Sequence, residues 1–121
     1  MMATIEEMGG VRVLVCDAEG PTIDTERAGT DLIGDAMGEG ASVIAVPVAR
    51  LGAALFQLRN GLAGTITQKV VNYRMRLAVI GDVSGFTAAS GPVRDWVREA
   101  NAGRDIWFVA DVAELRARLG G

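Results

Sequence analysis

Five polar side chains between Gly61 and Asp82 have the types and spacing of a binding site: Gln68, Lys69, Asn72, Arg74 and Asp82. Helical spacing places Gln68, Lys69 and Asn72 on adjoining parts of one face, with Leu62, Ile66, Val70 and Tyr73 repeating on another. Two amides and an ammonium so placed suit a carboxylate or phosphate, helped by the free N–H groups of a helix starting at Gly61–Gly64. That glycine spacing matches neither the Walker lysine motif nor the dinucleotide fingerprint. Asp82 follows Gly81 at the end of the apolar run Met75–Ile80, and open α/β sheets hold ligands at strand carboxyl ends. The chain reverses between Tyr73 and Met75, and the strand returns over about the length of the helix. Asp82 is therefore expected beside the helix start, with Lys69 leaning towards it. Each residue also has a plain structural use. Gln68 and Asn72 can bond neighbouring groups, Lys69 can be a solvated cation, and Asp82 can cap the turn Val83–Phe86 or pair with Arg74. Glu99 and Asn101 could converge on the Asp82 loop.

The rest of the composition narrows the chemistry. The 121 residues contain no histidine and one cysteine. A Ser-His or Cys-His catalytic pair and a typical zinc site are thus excluded, and no catalytic residue, cofactor or metal is expected. Cys16 ends the strand-like run Val11–Cys16, where a lone cysteine acts as a small buried hydrophobe. No apolar run is long enough to cross a bilayer, and the amino-terminal residues lack signal-peptide character, so a cytoplasmic protein with no membrane partner is expected. Net charge is −3, unevenly spread. Acids dominate from Glu6 to Glu39, whereas Ala41–Gly81 holds Arg50, Arg59, Lys69, Arg74 and Arg76 and no acid. Those cations either form an anion-facing side or pair with the flanking acids. Nucleic acid is not expected as a partner of an acidic chain with few aromatics.

The elements that position these residues follow from pattern. Gly9-Gly10 between Thr4–Met8 and Val11–Cys16 predicts a tight hairpin. Thr25 caps a helix with Ala28, Leu32, Ala36 and Met37 inward, ending at Gly38 and Gly40. Ser42–Val46 reads as a strand buried on both faces. Leu51–Arg59 has helical spacing, and Asn60-Gly61 breaks or caps it before the Leu62–Tyr73 helix, which leaves two helices or one bent helix open. Met75–Ile80 and Asp105–Val109 are further buried strands. Ser90 with Pro92 opens a helix carrying Val93, Trp96, Val97 and Ala100, and Asp111 with Glu114 forms a capping box for the last one. A hairpin followed by alternating helix and strand predicts a single α/β domain over residues 1–121: a mixed, mostly parallel sheet of about five or six strands with helices packed on it.

Gln68-Lys69, Asn72-Tyr73-Arg74 and Gly81-Asp82 resemble the central segment of the bacterial domain of unknown function 4180 family (DUF4180). The likeness extends to Asp31-Leu32-Ile33, Leu58-Arg59-Asn60-Gly61, Asp95–Glu99, Asn101–Gly103 and Ile106–Val109. Where such relatives carry two aromatics followed by Asp-Leu, this chain has Ala54-Leu55-Phe56-Gln57-Leu58. The resemblance implies no activity, because that family has none established. The order of elements is also similar, at the level of fold, to STAS domains. No serine or threonine lies in Val46–Leu51, where an antagonist of that kind carries its phosphorylated residue.

Two readings of function follow. The first is a small non-enzymatic module, STAS-like in being regulatory, that binds a protein partner or itself, with a homodimer expected from the apolar richness of a short chain. The alternative is a domain for a small anion or a nucleotide, with or without catalysis, built on Gln68, Lys69, Asn72, Arg74 and Asp82.

Overall fold

The computed structural model describes residues 3–120. Strands β1 (Ala3–Met8) and β2 (Val11–Cys16) form the hairpin, and helix α1 (Glu26–Gly38) leads to β3 (Val43–Pro47). Helix α2 (Leu62–Asn72) leads to β4 (Arg76–Ile80), then α3 (Ser84–Ala89) and α4 (Gly91–Ala102) lead to β5 (Ile106–Val109), and α5 (Val112–Arg118) closes the chain. The strands lie in the order β1-β2-β3-β4-β5, with β1 antiparallel to β2 and every other pair parallel. The expected α/β architecture is thus present, with five strands.

Strand alternation sorts the core into two layers. Leu14, Cys16, Ile44, Val46, Val79 and Phe108 point to the side covered by α1, α2 and α4. Val13, Val43, Ala45, Ala78, Trp107 and Val109 point to the other, where α5 inserts the fully buried Leu115. The arrangement follows from strand order. Each parallel neighbour is the next strand in sequence, and right-handed crossovers between such neighbours all fall on one face. Only the helix after the last strand is free to cover the second.

Local capping agrees with the sequence. Thr25 Oγ1 accepts from Ala28 N at 3.0 Å, Ser90 Oγ from Val93 N at 3.3 Å, and Asp111 Oδ1 from Glu114 N at 2.8 Å. Leu51–Arg59 is a correction. It holds single turns of 3-10 helix, at Ala53–Phe56 and Leu58–Asn60, preceded by another at Val48–Arg50. Leu51 is drawn into a parallel bridge with Ile23, and Gly52 packs so tightly on Asp24 that a Cβ has no room. Helical spacing was present, but the bridge holds the first residue extended. The segment Val83–Phe86, expected as a turn, begins the short helix α3.

Gly9 and Gly10 both have positive φ, 58° and 79°, the pairing a two-residue hairpin turn requires. Their surroundings differ. A Cβ on Gly9 would collide with the carbonyl of Leu119, just past α5, whereas one on Gly10 meets nothing within 4 Å. Gly10→Ala should therefore cost about 1 kcal/mol of backbone strain. Gly9→Ala should cost about 1–3 kcal/mol more, because it also pushes α5 from its seat. Urea denaturation of the two variants checks the difference.

Candidate functional site

The five polar residues do not share one cleft. Gln68 Nε2 donates to Asn72 Oδ1 at 2.9 Å, a pairing of amides one helical turn apart on the exposed flank of α2. Lys69 lies on the opposite flank, turned towards α1, and its Nζ is 3.4 Å from Glu26 Oε1. Glu26, at the start of α1, meets it instead of Asp82. Asp82 is exposed and its Oδ1 accepts from Ser84 N at 2.8 Å, opening α3. Hydrogen bonding by the Ser84 hydroxyl and N–H holds this carboxyl below the ordinary carboxylate value. Arg74 and Asp82 sit at opposite ends of β4, whose five residues span about 16 Å. Asn101 is engaged elsewhere: its Oδ1 accepts from Phe108 N at 2.7 Å on the edge strand β5.

The carboxyl end of the sheet has no topological switch point, the place where open α/β sheets form a ligand crevice. Such crevices open where strand order reverses and neighbouring crossovers pass to opposite faces. Here the order runs β1 to β5 without reversal. Among the described residues, no group of three or more His, Cys, Asp or Glu side chains is placed to hold a metal, and no helix is long and apolar enough to cross a membrane.

A residue whose importance spacing did not reveal stands at that end. Arg50 is 7% exposed, and among the described residues no carboxylate lies within salt-bridge distance of it. Its Nε donates to Pro21 O at 2.8 Å and its Nη1 to Asp17 O at 3.0 Å, pinning the loop after β2 across the end of β3. The signal was available: Arg50 is the one charged residue between Glu39 and Arg59. Nearby Cys16 is buried, which raises its thiol pKa, with the Arg50 charge acting in the opposite direction.

The carboxyl terminus of α2 is built differently. Arg74 N donates to Val71 O and Met75 N to Val70 O, each at 2.9 Å, a Schellman ending with Arg74 at the left-handed position. Helix α1 ends in the same motif around Gly40, at φ 70°. Arg74 adopts φ 58° and is the one non-glycine residue with positive φ among those described. Beside it Tyr73 is 53% exposed and Val71 40% exposed. Between α2 and the end of α4 runs a groove with Val71, Trp96, Ala100 and Ile106 in its lining and Gln68, Glu99, Arg104 and Asp105 among its polar residues.

Fold and site together define a small α/β protein with a mixed five-stranded sheet and its exposed apolar side chains gathered at helix ends. The chain belongs to the family described as Domain of unknown function (DUF4180), whose model matches residues 8–119. Comparison with curated proteins and with solved structures found no match.

Two outcomes test these roles. Arg50→Lys should lose the forked contact to both carbonyls and cost about 1.5–3 kcal/mol, with faster proteolysis in Asp17–Thr22 as the local readout. Asp82 has a depressed folded pKa, so its contribution is complete above the ordinary carboxylate value and is lost as pH falls through the folded one. Asp82→Ala should accordingly be less stable than the parent at neutral pH. The gap should close in acid below about pH 4, as followed by thermal melts.

Proposed function

We propose that this chain is a non-enzymatic regulatory module of the cytoplasm that binds a protein partner through the carboxyl end of α2 and the adjoining α2–α4 groove. The observation that carries the reading is Arg74 held at a left-handed backbone position between an exposed Tyr73 and the sheet. A non-glycine residue there costs about 1–2 kcal/mol that glycine would avoid, and such strain is kept where a side chain has work to do. Tyrosine and arginine are the residue types that dominate binding hot spots, and Val71 with Trp96 supplies an apolar centre inside a polar rim. Of the five polar residues, Arg74 and Gln68 belong to this surface. A partner segment that fits it presents one apolar anchor flanked by a carboxylate to meet Arg74.

The reading predicts opposite effects on stability and binding. Arg74→Gly should stabilise the fold by about 0.5–1 kcal/mol in urea while weakening partner binding. To find that partner, a photo-crosslinking side chain at position 73 should give a discrete protein adduct in cells. The same group at the exposed Ala88 should not. Equal adducts at both positions, or an Arg74→Gly variant that binds the recovered partner as tightly as the parent, would remove the proposal.

A further inference from the structure

We infer that strand β1 is a self-pairing edge, through which two copies of the chain join their sheets across a two-fold axis at Ile5. This surface is separate from the α2 end and does not rest on the function proposed above.

The hairpin register shows which backbone groups are free. Met8 faces Val11 across the two-residue turn, so Met8, Glu6 and Thr4 exchange hydrogen bonds with Val11, Val13 and Val15. On β2 the alternate residues turn to β3, as the bond from Ser42 N to Arg12 O at 3.0 Å confirms. The N–H and C=O groups of Ala3, Ile5 and Glu7 therefore point away from the sheet. Among the described residues they have no other hydrogen-bond partner.

Edge strands are ordinarily guarded by charge, because a carboxylate on the edge repels a second edge. Here the guard is neutralised. Glu6 Oε2 lies 3.2 Å from Arg116 Nη2 on α5, and Glu7 Oε1 lies 3.7 Å from Arg12 Nη1. With Ile5 on the axis, Ile5 pairs with Ile5 of the second copy and Ala3 with its Glu7. Every outward group is then matched in about six hydrogen bonds. Thr4 faces Glu6 of the second copy, so no like charges stand opposite each other.

The other edge of the sheet is obstructed at its middle. Phe108 N, which points outward from β5, is taken by Asn101 Oδ1 at 2.7 Å, and Arg118 Nη2 holds Asn101 O at 2.7 Å above it. Pairing through β1 about a two-fold axis uses that edge in both copies and gives a closed dimer, while the obstructed β5 edge disfavours growth into a fibre.

Hydrogen exchange of the purified protein tests the inference. In a dilution series followed by sedimentation, the Ile5 and Glu7 amides should be protected at concentrations where the dimer forms and exchange freely in the monomer. Thr4 and Glu6 should be protected throughout. Ala3→Pro removes an outward N–H without touching the hairpin ladder, and proline is tolerated at the first residue of an edge strand. Circular dichroism of that variant should match the parent, with dimerisation at least about tenfold weaker. A monomer at every concentration, a dimer with unprotected Ile5 and Glu7 amides, or a folded Ala3→Pro variant that dimerises like the parent would each overturn it.

Discussion

The handedness of the strand–helix–strand crossover is the constraint on which the molecule depends. Because β2, β3, β4 and β5 are spatial neighbours in chain order, all three crossovers lie on one face of the sheet. Helices α1, α2 and α4 consequently run the same way, with their carboxyl termini gathered at the amino end of the parallel strands. Because strand order does not reverse, the opposite end has no topological switch point. At the left-handed position that closes the helix, α2 has Arg74 where α1 has Gly40.

The same constraint leaves the second face to the seven-residue helix α5. A helix that short has little intrinsic stability, and its position is set by what it touches. Leu115 fills the centre, Arg116 reaches Glu6 on one edge of the sheet, and Arg118 stacks over Trp107, 4.4 Å from the ring centroid, on the other. Arg76 approaches the same indole from β4 at 5.6 Å. Gly9 admits the carbonyl of Leu119 where no side chain could fit. These contacts couple the hairpin to β5, so the helix that neutralises Glu6 on the open edge also holds the cap on the obstructed one.

Arginines do most of the polar joining, and they divide by how they are satisfied. Arg12 and Arg116, like Lys69, pair with carboxylates across elements, interactions of modest worth at an exposed surface. Arg50 is itself buried, and its forked guanidinium meets two backbone carbonyls of the loop after β2. Arg74 has neither kind of partner among the described residues. It is offered outward beside the exposed Tyr73.

The sequence alone determined the elements whose causes are local: the Gly9-Gly10 hairpin, the caps at Thr25, Ser90 and Asp111, the buried strands, and the family likeness around Gln68–Asp82. Periodicity and capping act within a few residues, so a linear reading reaches them. It could not tell that Lys69 would meet Glu26, that Leu51 would be held extended by Ile23, or that Asn101 would obstruct an edge strand. Each of those outcomes depends on a partner distant in the chain. The proposed site was divided for the same reason: spacing put Gln68, Lys69 and Asn72 near one another on a helix, but neighbouring elements decided which flank each faced. Only the tertiary structure revealed Arg50 as a buried pin and Arg74 as a left-handed residue, since burial and backbone sign arise when the layers pack.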